Sequence, residues 1–395
     1  MNLKMNYLAD QFVFYNLKKI EHGYLKLIDS NGIVHFFGDS KSSLKAHVKI
    51  NYPGFSFKLL RRGSSGLGES YINNEFETED LPSLIELSAR NIKITYKFSG
   101  FFQFSFLQNF LNKNIFSNTK KRSKKNISLH YDLGNEFFSS FLDKTLTYSC
   151  GIFNSPNETL EKAQINKYNK LINLVKPKNG DKILEIGCGW GGFAEHLAKN
   201  YNVKIDCITI SRKQFLFTKE RIRKSELTNK VNVKMMDYRD VAKKYDIIVS
   251  IEMIEAVGEK YLNKYFDVIK KNLAPGGRGA IQAIIIKDEL YNGYRTREDF
   301  IQKYIFRGGF LPSLKSLNQL SEKSGLKIEN CKMYGNHYSN TLQKWRTSFL
   351  NSWGVISRQG FDINFKKMWD FYFSYCDAGF KSKNINVVQF SLCSK

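Results

Sequence analysis

Between Lys182 and Gly192 the chain reads Lys-Ile-Leu-Glu-Ile-Gly-Cys-Gly-Trp-Gly-Gly, and Phe193-Ala-Glu-His-Leu-Ala-Lys199 follows with helical spacing. An apolar run, dense glycine and then a helix make a strand–loop–helix unit, and this unit limits the fold more than any other stretch. Gly187 and Gly189 let the backbone turn sharply and approach a ligand where a Cβ would collide. Gly192 permits close packing of helix on strand, and the free N–H groups at the helix start can meet polar ligand atoms. Taken alone, the loop is a nucleotide-type cofactor site of unspecified kind. Its Gly187-x-Gly189-x-x-Gly192 spacing also fits a dinucleotide fingerprint, and a plain tight turn is the bland alternative.

The surrounding rhythm sets the fold class. From residue 129 onward, candidate strands at 182–186, 203–210, 231–236, 246–251 and 279–286 alternate with helical patterns such as 213–224 and 260–273. That alternation predicts an α/β domain, a parallel sheet with helices on both faces. Strands at 326–334 and 387–393 are expected to pair as a terminal antiparallel hairpin, with helices at 340–356 and 361–375 between them. Residues 1–115 read as a smaller α+β domain, with strands near 23–28, 33–37 and 46–50 and a helix opened by Asp80 and Pro82. The basic run Lys-Lys-Arg-Ser-Lys-Lys at 120–125 marks a linker at 116–128, and 129–395 is the catalytic domain. The phenylalanine-rich stretch 98–116 beside that run suits a membrane-surface contact, or equally a core helix followed by a solvated linker.

Lys plus Arg number 61 against 37 Asp plus Glu, a formal charge of +24. The excess favours an anionic partner, whether nucleic acid, acidic lipid or acidic protein, although drift toward Lys and Asn explains part of it. Composition is that of a folded chain, which excludes a disordered one. The six cysteines form no Cys-x-x-Cys pair, so no metal site is expected, and they suit free thiols in a reducing cytoplasm. The N-terminus lacks the apolar core of a signal peptide and no run of about eighteen apolar residues exists, so a soluble or peripheral protein is expected.

The acids discriminate between cofactors. A dinucleotide site wants an acid at the carboxyl end of the second strand, and the acid available, Asp206, sits mid-strand. Polar groups after the third strand, around Asp237, and two acids after the fourth, Glu252 and Glu255, fit S-adenosylmethionine (SAM) better than NAD.

Longer motifs then narrow the reading. His130-Tyr-Asp-Leu-Gly-Asn-Glu-Phe-Phe138, Tyr148-Ser-Cys-Gly-Ile-Phe153, Leu184 to Gly192, Ile208-Thr-Ile-Ser211, Ser250-Ile-Glu-Met-Ile-Glu-Ala-Val-Gly258, Asp299 to Phe306 and Tyr338 to Trp345 arrive in one order. In these motifs the chain resembles the cyclopropane-fatty-acyl-phospholipid synthase family, mycolic acid cyclopropane synthases included, from about residue 65 to the end. The resemblance implies a Rossmann-like class I SAM-dependent methyltransferase with a mixed seven-stranded sheet. It implies one-carbon addition across a cis double bond of an unsaturated phospholipid acyl chain to form a cyclopropane. It places the enzyme in the cytoplasm, peripheral at the inner face of the membrane, with no nucleic-acid partner and with a homodimer as one allowed assembly. Carried over residue by residue, the SAM contacts are Tyr148, Ser149, Gly187, Gly189, Thr209, Gln214, Asp237 and Ile251. Cys150, Glu255, Gln282, Ile284 and Tyr338 fall where the family holds a bicarbonate thought to be the catalytic base.

Each of these residues has a structural alternative. Thr209 and Ile251 could be strand ends, Gln214 a surface residue, Tyr148 a core aromatic and Asp237 a helix cap. Glu252 and Glu255 could be a solvated face, and Cys150 a small buried hydrophobe with no nucleophilic role. Two positions depart from the family. Gln282 stands where histidine is usual, and an amide cannot relay a proton; Arg307 stands where proline is common. Gln282 leaves methyl- or methylene-branched products open beside the cyclopropane. A nucleic-acid methyltransferase would share the SAM fold and the basic charge, but no Asn-Pro-Pro-aromatic stretch is present. A binding module with an idle SAM site is opposed by the intact glycine loop with Glu255 and Tyr338.

Overall fold

A computed structural model describes residues 3–98, 118–131 and 133–395. The phenylalanine-rich stretch lies outside these residues from 99 onward. The chain divides into two compact units, and neither is one continuous stretch: the first takes the described part of Met1–Asn114 together with Asn292–Ile305 and Trp353–Asn384, and the second takes the remainder.

In the first unit, β1 (Tyr24–Ile28), β2 (Val34–Gly38), β3 (Lys45–Ile50) and β4 (Phe76–Glu77) form a sheet in the order β2-β1-β3-β4. Alternate residues of β1 and β3 are buried, and Leu25, Leu27, Ala46, Val48 and Ile50 build its core with Phe55, Phe76, Leu84 and Leu87. The helix Leu81–Arg90 starts as its sequence predicts, with the Asp80 carboxylate accepting from Ser83 N–H at 3.1 Å and proline in the first turn. The late helix Ile363–Lys381 belongs to this unit and packs on Leu81–Arg90.

The second unit holds β5 (Lys182–Ile186), β6 (Lys204–Thr209), β7 (Val231–Met235), β8 (Tyr245–Ile251), β9 (Leu273–Ile286), β10 (Leu326–Met333) and β11 (Ile385–Ser394). Their order is β10-β11-β9-β8-β5-β6-β7. The five central and distal strands run parallel, and β11 is antiparallel to both β9 and β10, so the sheet is mixed as expected. The chain winds outward from β5 through β6 to β7, then returns to β8 on the other side. The crevice at the carboxyl ends of β5 and β8 is therefore the topological switch point where such sheets bind ligands.

Helices Leu160–Val175, Gly192–Asn200 and Arg212–Lys224 pack on the sheet. Thr159 and Ser211 cap two of them through the N–H groups of Lys162 and Gln214. The basic run read as a linker is helical from Lys120 to Tyr131. Among the described residues, no helix is long and apolar enough to cross a membrane.

Candidate active site

The glycine loop after β5 turns through three left-handed glycines: Gly187 at φ 82°, Gly189 at 52° and Gly191 at 82°. The two outer ones are fixed by packing as well. A Cβ on Gly191 would lie 2.6 Å from Thr218 Cγ2, and one on Gly187 would lie 2.7 Å from Met253 Cγ. Gly189 differs, because a Cβ there would meet nothing within 4 Å. Its open side faces a cleft lined by all eight residues assigned to SAM: Tyr148, Ser149, Gly187, Gly189, Thr209, Gln214, Asp237 and Ile251. Thr209 and Gln214 are buried and bonded to each other, hydroxyl to amide oxygen, at 2.9 Å. Burial pulls the Asp237 carboxyl upward, but two hydrogen bonds from the Arg239 guanidinium, at 2.8 and 2.7 Å, more than offset it and keep the acid ionised. Asp206, the acid a dinucleotide would have needed, is engaged elsewhere by Lys234 and the Tyr245 hydroxyl.

The wall beside Tyr148 is aromatic. Its ring lies 5.1 Å from Trp345, 5.4 Å from Phe138 and 6.3 Å from Phe306, and Tyr338 reaches Trp345 edge-on at 6.1 Å.

A polar cluster adjoins this wall through Tyr338, assembled by strand register. Gln282 of β9 stands opposite Ile251 of β8 and Gln389 of β11. The Gln389 amide donates to Gln282 Oε1 at 2.8 Å, which fixes the Gln282 amide with its NH2 toward Glu252. Glu252 Oε1 accepts from that NH2 at 2.7 Å and from Cys150 N–H at 2.9 Å, while Oε2 accepts from the Tyr338 hydroxyl at 2.6 Å. Glu255 Oε1 accepts from Ile284 N–H at 2.5 Å, and its Oε2 is buried with no hydrogen-bond partner. The two glutamates therefore do not form a solvated face. Cys150 is buried, its thiol pushed up by burial and by the Glu252 charge, which suits the structural role expected of it.

Sequence reasoning missed two members of this cluster. Lys167 is fully buried, with Nζ 2.7 Å from Ser149 Oγ. Burial brings its pKa down to about 8, while Glu252 and its neighbours favour the charge. Glu185, in the middle of β5, is buried with Oε2 unpartnered, and burial pushes it up to about 8 against the pull of Lys167. Burial, and then the charge of Glu252, push Glu255 up to about 8 as well. Burial also raises Glu252, but Tyr338, the Cys150 N–H, the Gln282 amide and Lys167 all oppose the rise. One buried cation therefore faces several carboxyls. Near neutral pH the arrangement favours Lys167 charged, with Glu255 and Glu185 holding protons.

Residues 118–390 match the family model for mycolic acid cyclopropane synthetase. The chain belongs to this family. It is 33% identical over 356 residues to the cyclopropane-fatty-acyl-phospholipid synthase of Escherichia coli strain K12, covering 88% of this chain and 87% of that one. It is 32% identical over 388 residues to the tuberculostearic acid methyltransferase UfaA1 of Mycobacterium tuberculosis, covering 94% and 88%. Mycolic acid cyclopropane synthase CmaA1, solved with SAH and CTAB, superposes with a TM-score of 0.64 at 26% identity, covering 69% of this chain and 98% of that one. The enzyme is a SAM-dependent methyltransferase with the Rossmann-like fold of that class.

The two kinds of glycine in the loop should separate by experiment. Gly189→Ala adds a methyl group into open cleft and strains one residue by about 1–2 kcal/mol, so the variant should fold. It is expected to bind SAM about tenfold more weakly or worse, which is about 1.4 kcal/mol. Gly191→Ala collides with Thr218 and should lower the melting temperature instead. Calorimetry showing wild-type SAM affinity for folded Gly189→Ala would contradict the placement of SAM on this loop.

Proposed function

We propose that this enzyme transfers one carbon from SAM to the double bond of an unsaturated fatty acyl chain, with the cis double bond of a membrane phospholipid as substrate and a cyclopropane as product. The observation that carries the reading is that Glu252, a buried carboxylate, lines the same cleft as the SAM-contact residues. SAM, bound by the glycine loop, Thr209, Gln214 and Asp237, supplies an electrophilic methyl group. An alkene is a weak nucleophile, so its reaction needs close alignment and a dry site. Carbon–carbon bond formation leaves positive charge on the acyl chain. The face of Tyr148, which lines the cleft and packs on Trp345 and Phe138, can stabilise that charge without capturing it. A base must then remove a proton, and the cluster around Glu252 supplies one.

The second reading, a methylene- or methyl-branched product, is favoured by the likeness to UfaA1 over 94% of this chain and by Gln282 in a position where histidine is usual. Ring and methylene products arise from the same loss of one proton and are isomers.

Access to lipid fits the surface of the first unit. Tyr7, Leu8 and Tyr15 are exposed on the helix Leu3–Leu17, and Ile33, Val34 and Phe36 are exposed at β2. The charge of +24 suits anionic headgroups. Vesicles of anionic cis-unsaturated phospholipid, incubated with enzyme and SAM, are expected to gain the mass of one CH2 per modified chain. Binding should weaken with salt as charge attraction is screened. Proton NMR of the extracted lipid separates the ring from the methylene. Lipid of unchanged mass would overturn the reading.

A further inference from the structure

The groups that the family resemblance assigns to a bound bicarbonate are already occupied by side chains of this chain. The Cys150 N–H, the Gln282 amide and the Tyr338 hydroxyl all end on the Glu252 carboxylate. The Ile284 N–H ends on Glu255. A glutamate carboxylate and a bicarbonate present the same pair of acceptor oxygens, so one set of donors cannot hold both. Bicarbonate does not fit this site. We propose that Glu252 is the catalytic base, its carboxylate standing where a free anion would otherwise bind. The proposal rests on the reading of one-carbon transfer to an acyl chain given above.

Further observations agree with it. Glu252 is itself one of the residues that line the cleft. Its backbone sits at φ 47°, a left-handed conformation that is costly for a side-chain-bearing residue, and its N–H is tied to Gln282 O at 2.8 Å. Strain of this kind persists where the surroundings over-determine it, as they do at active sites. Gln282 also acquires a reason. With the base built into the chain, position 282 needs only to donate a hydrogen bond, and a fixed amide does that without competing for the proton.

The step balances. The π pair of the alkene forms the bond to the methyl carbon, the sulfur–carbon pair stays on sulfur, and the neighbouring chain carbon becomes positive. Glu252 takes one proton from the added methyl. The released C–H pair closes the ring, or forms the methylene if a hydride has first shifted along the chain. The sum is an acyl chain gaining CH2, a neutral thioether, and one proton carried away by Glu252.

Glu252→Gly is the informative variant. Glycine adopts the φ of this position freely, and the change leaves the Cys150, Gln282 and Tyr338 donors around the space the carboxylate filled. SAM-dependent CH2 gain in vesicles of cis-unsaturated phospholipid is measured in CO2-free buffer, then with added bicarbonate or formate. Wild type is expected to turn over equally in all three. Glu252→Gly should fall by about a hundredfold or more in CO2-free buffer, as loss of a general base does, and recover with either anion. Glu252→Gln, which keeps the space filled, should fall without recovery. SAM affinity by calorimetry reports whether each variant is folded. Wild type that needs added bicarbonate would overturn the proposal, as would folded Glu252→Gly with full activity in CO2-free buffer. Wild type that modifies no lipid in any buffer would overturn the acyl-chain reading along with it.

Discussion

Lys167→Met is expected to lose about a hundredfold to a thousandfold in turnover at pH 7 and to retain SAM, because the loss is that of a working general base. Lys167 is buried beside Ser149, and the charge of Glu252 does most to favour its ammonium against burial. In the other direction, Lys167 is one of the groups that oppose the rise burial imposes on Glu252. Removing the cation leaves a buried carboxylate short of compensation. An uncompensated buried charge is costly unless it neutralises, and Glu252 can neutralise by binding a proton. A protonated glutamate is no base. The loss should therefore depend on pH. The acid limb of the kcat profile should move upward in Lys167→Met, and activity should return as the pH is raised. A merely structural role for Lys167 would lower the rate by a similar factor at every pH. That flat profile, with melting temperature reduced, would contradict the assignment of Lys167 as a positioning residue for Glu252.

The buried carboxyls also predict how stability depends on pH. Burial raises Glu255 and Glu185 from 4.5 to about 8. Between those values the folded chain holds protons that the unfolded chain has released, so stability falls as pH rises through this window. Each group contributes at most about 1.4 kcal/mol per pH unit. Lys167 acts oppositely and higher, because its pKa is lowered from 10.5 to about 8. Above pH 8 the unfolded chain binds the extra proton, and stability recovers. Glu255→Gln removes one of the two falling contributions, since its amide resembles the protonated acid and its oxygen can still accept from Ile284 N–H. Denaturant unfolding at pH 5 and at pH 8 should show Glu255→Gln gaining on wild type by more than about 1 kcal/mol across that interval. His196 and His337, both lowered by burial, titrate in wild type and variant alike and cancel in the difference. A difference that stays constant from pH 5 to pH 8 would show that Glu255 is ionised throughout.

The sheet was legible because its strands are apolar runs between turn signals. β5, β6, β7 and β8 fall within a residue or so of the ranges read from sequence, and the β10–β11 hairpin forms as expected. The glycine loop was legible because positive φ leaves a composition that no other constraint imitates. The membership of the first unit was not legible. The helix Ile363–Lys381 is aromatic along much of its length, with Trp369, Phe371, Phe373 and Phe380 buried, and nothing in a local pattern says which distant helix will cover it.

In the site, the pairing of Cys150, Gln282 and Tyr338 with Glu252 rather than Glu255 depends on one left-handed residue and on the register of three strands. Neither follows from spacing. Lys167 did leave a signal. It lies four residues from Ala163 and four from Leu171, both buried, so it occupies the apolar stripe of its helix. A lysine on a buried stripe, like Glu185 inside a buried strand, is a charge that requires a partner.

The proposal that Glu252 is the base requires that the proton lost come from the methyl group added to the acyl chain. SAM carrying a trideuterated methyl tests it in the vesicle assay. The modified lipid is expected to carry two deuterium atoms on the added carbon, in the ring or in the methylene alike. Lipid that retains all three would show that the proton is taken from elsewhere on the chain, and would contradict the account.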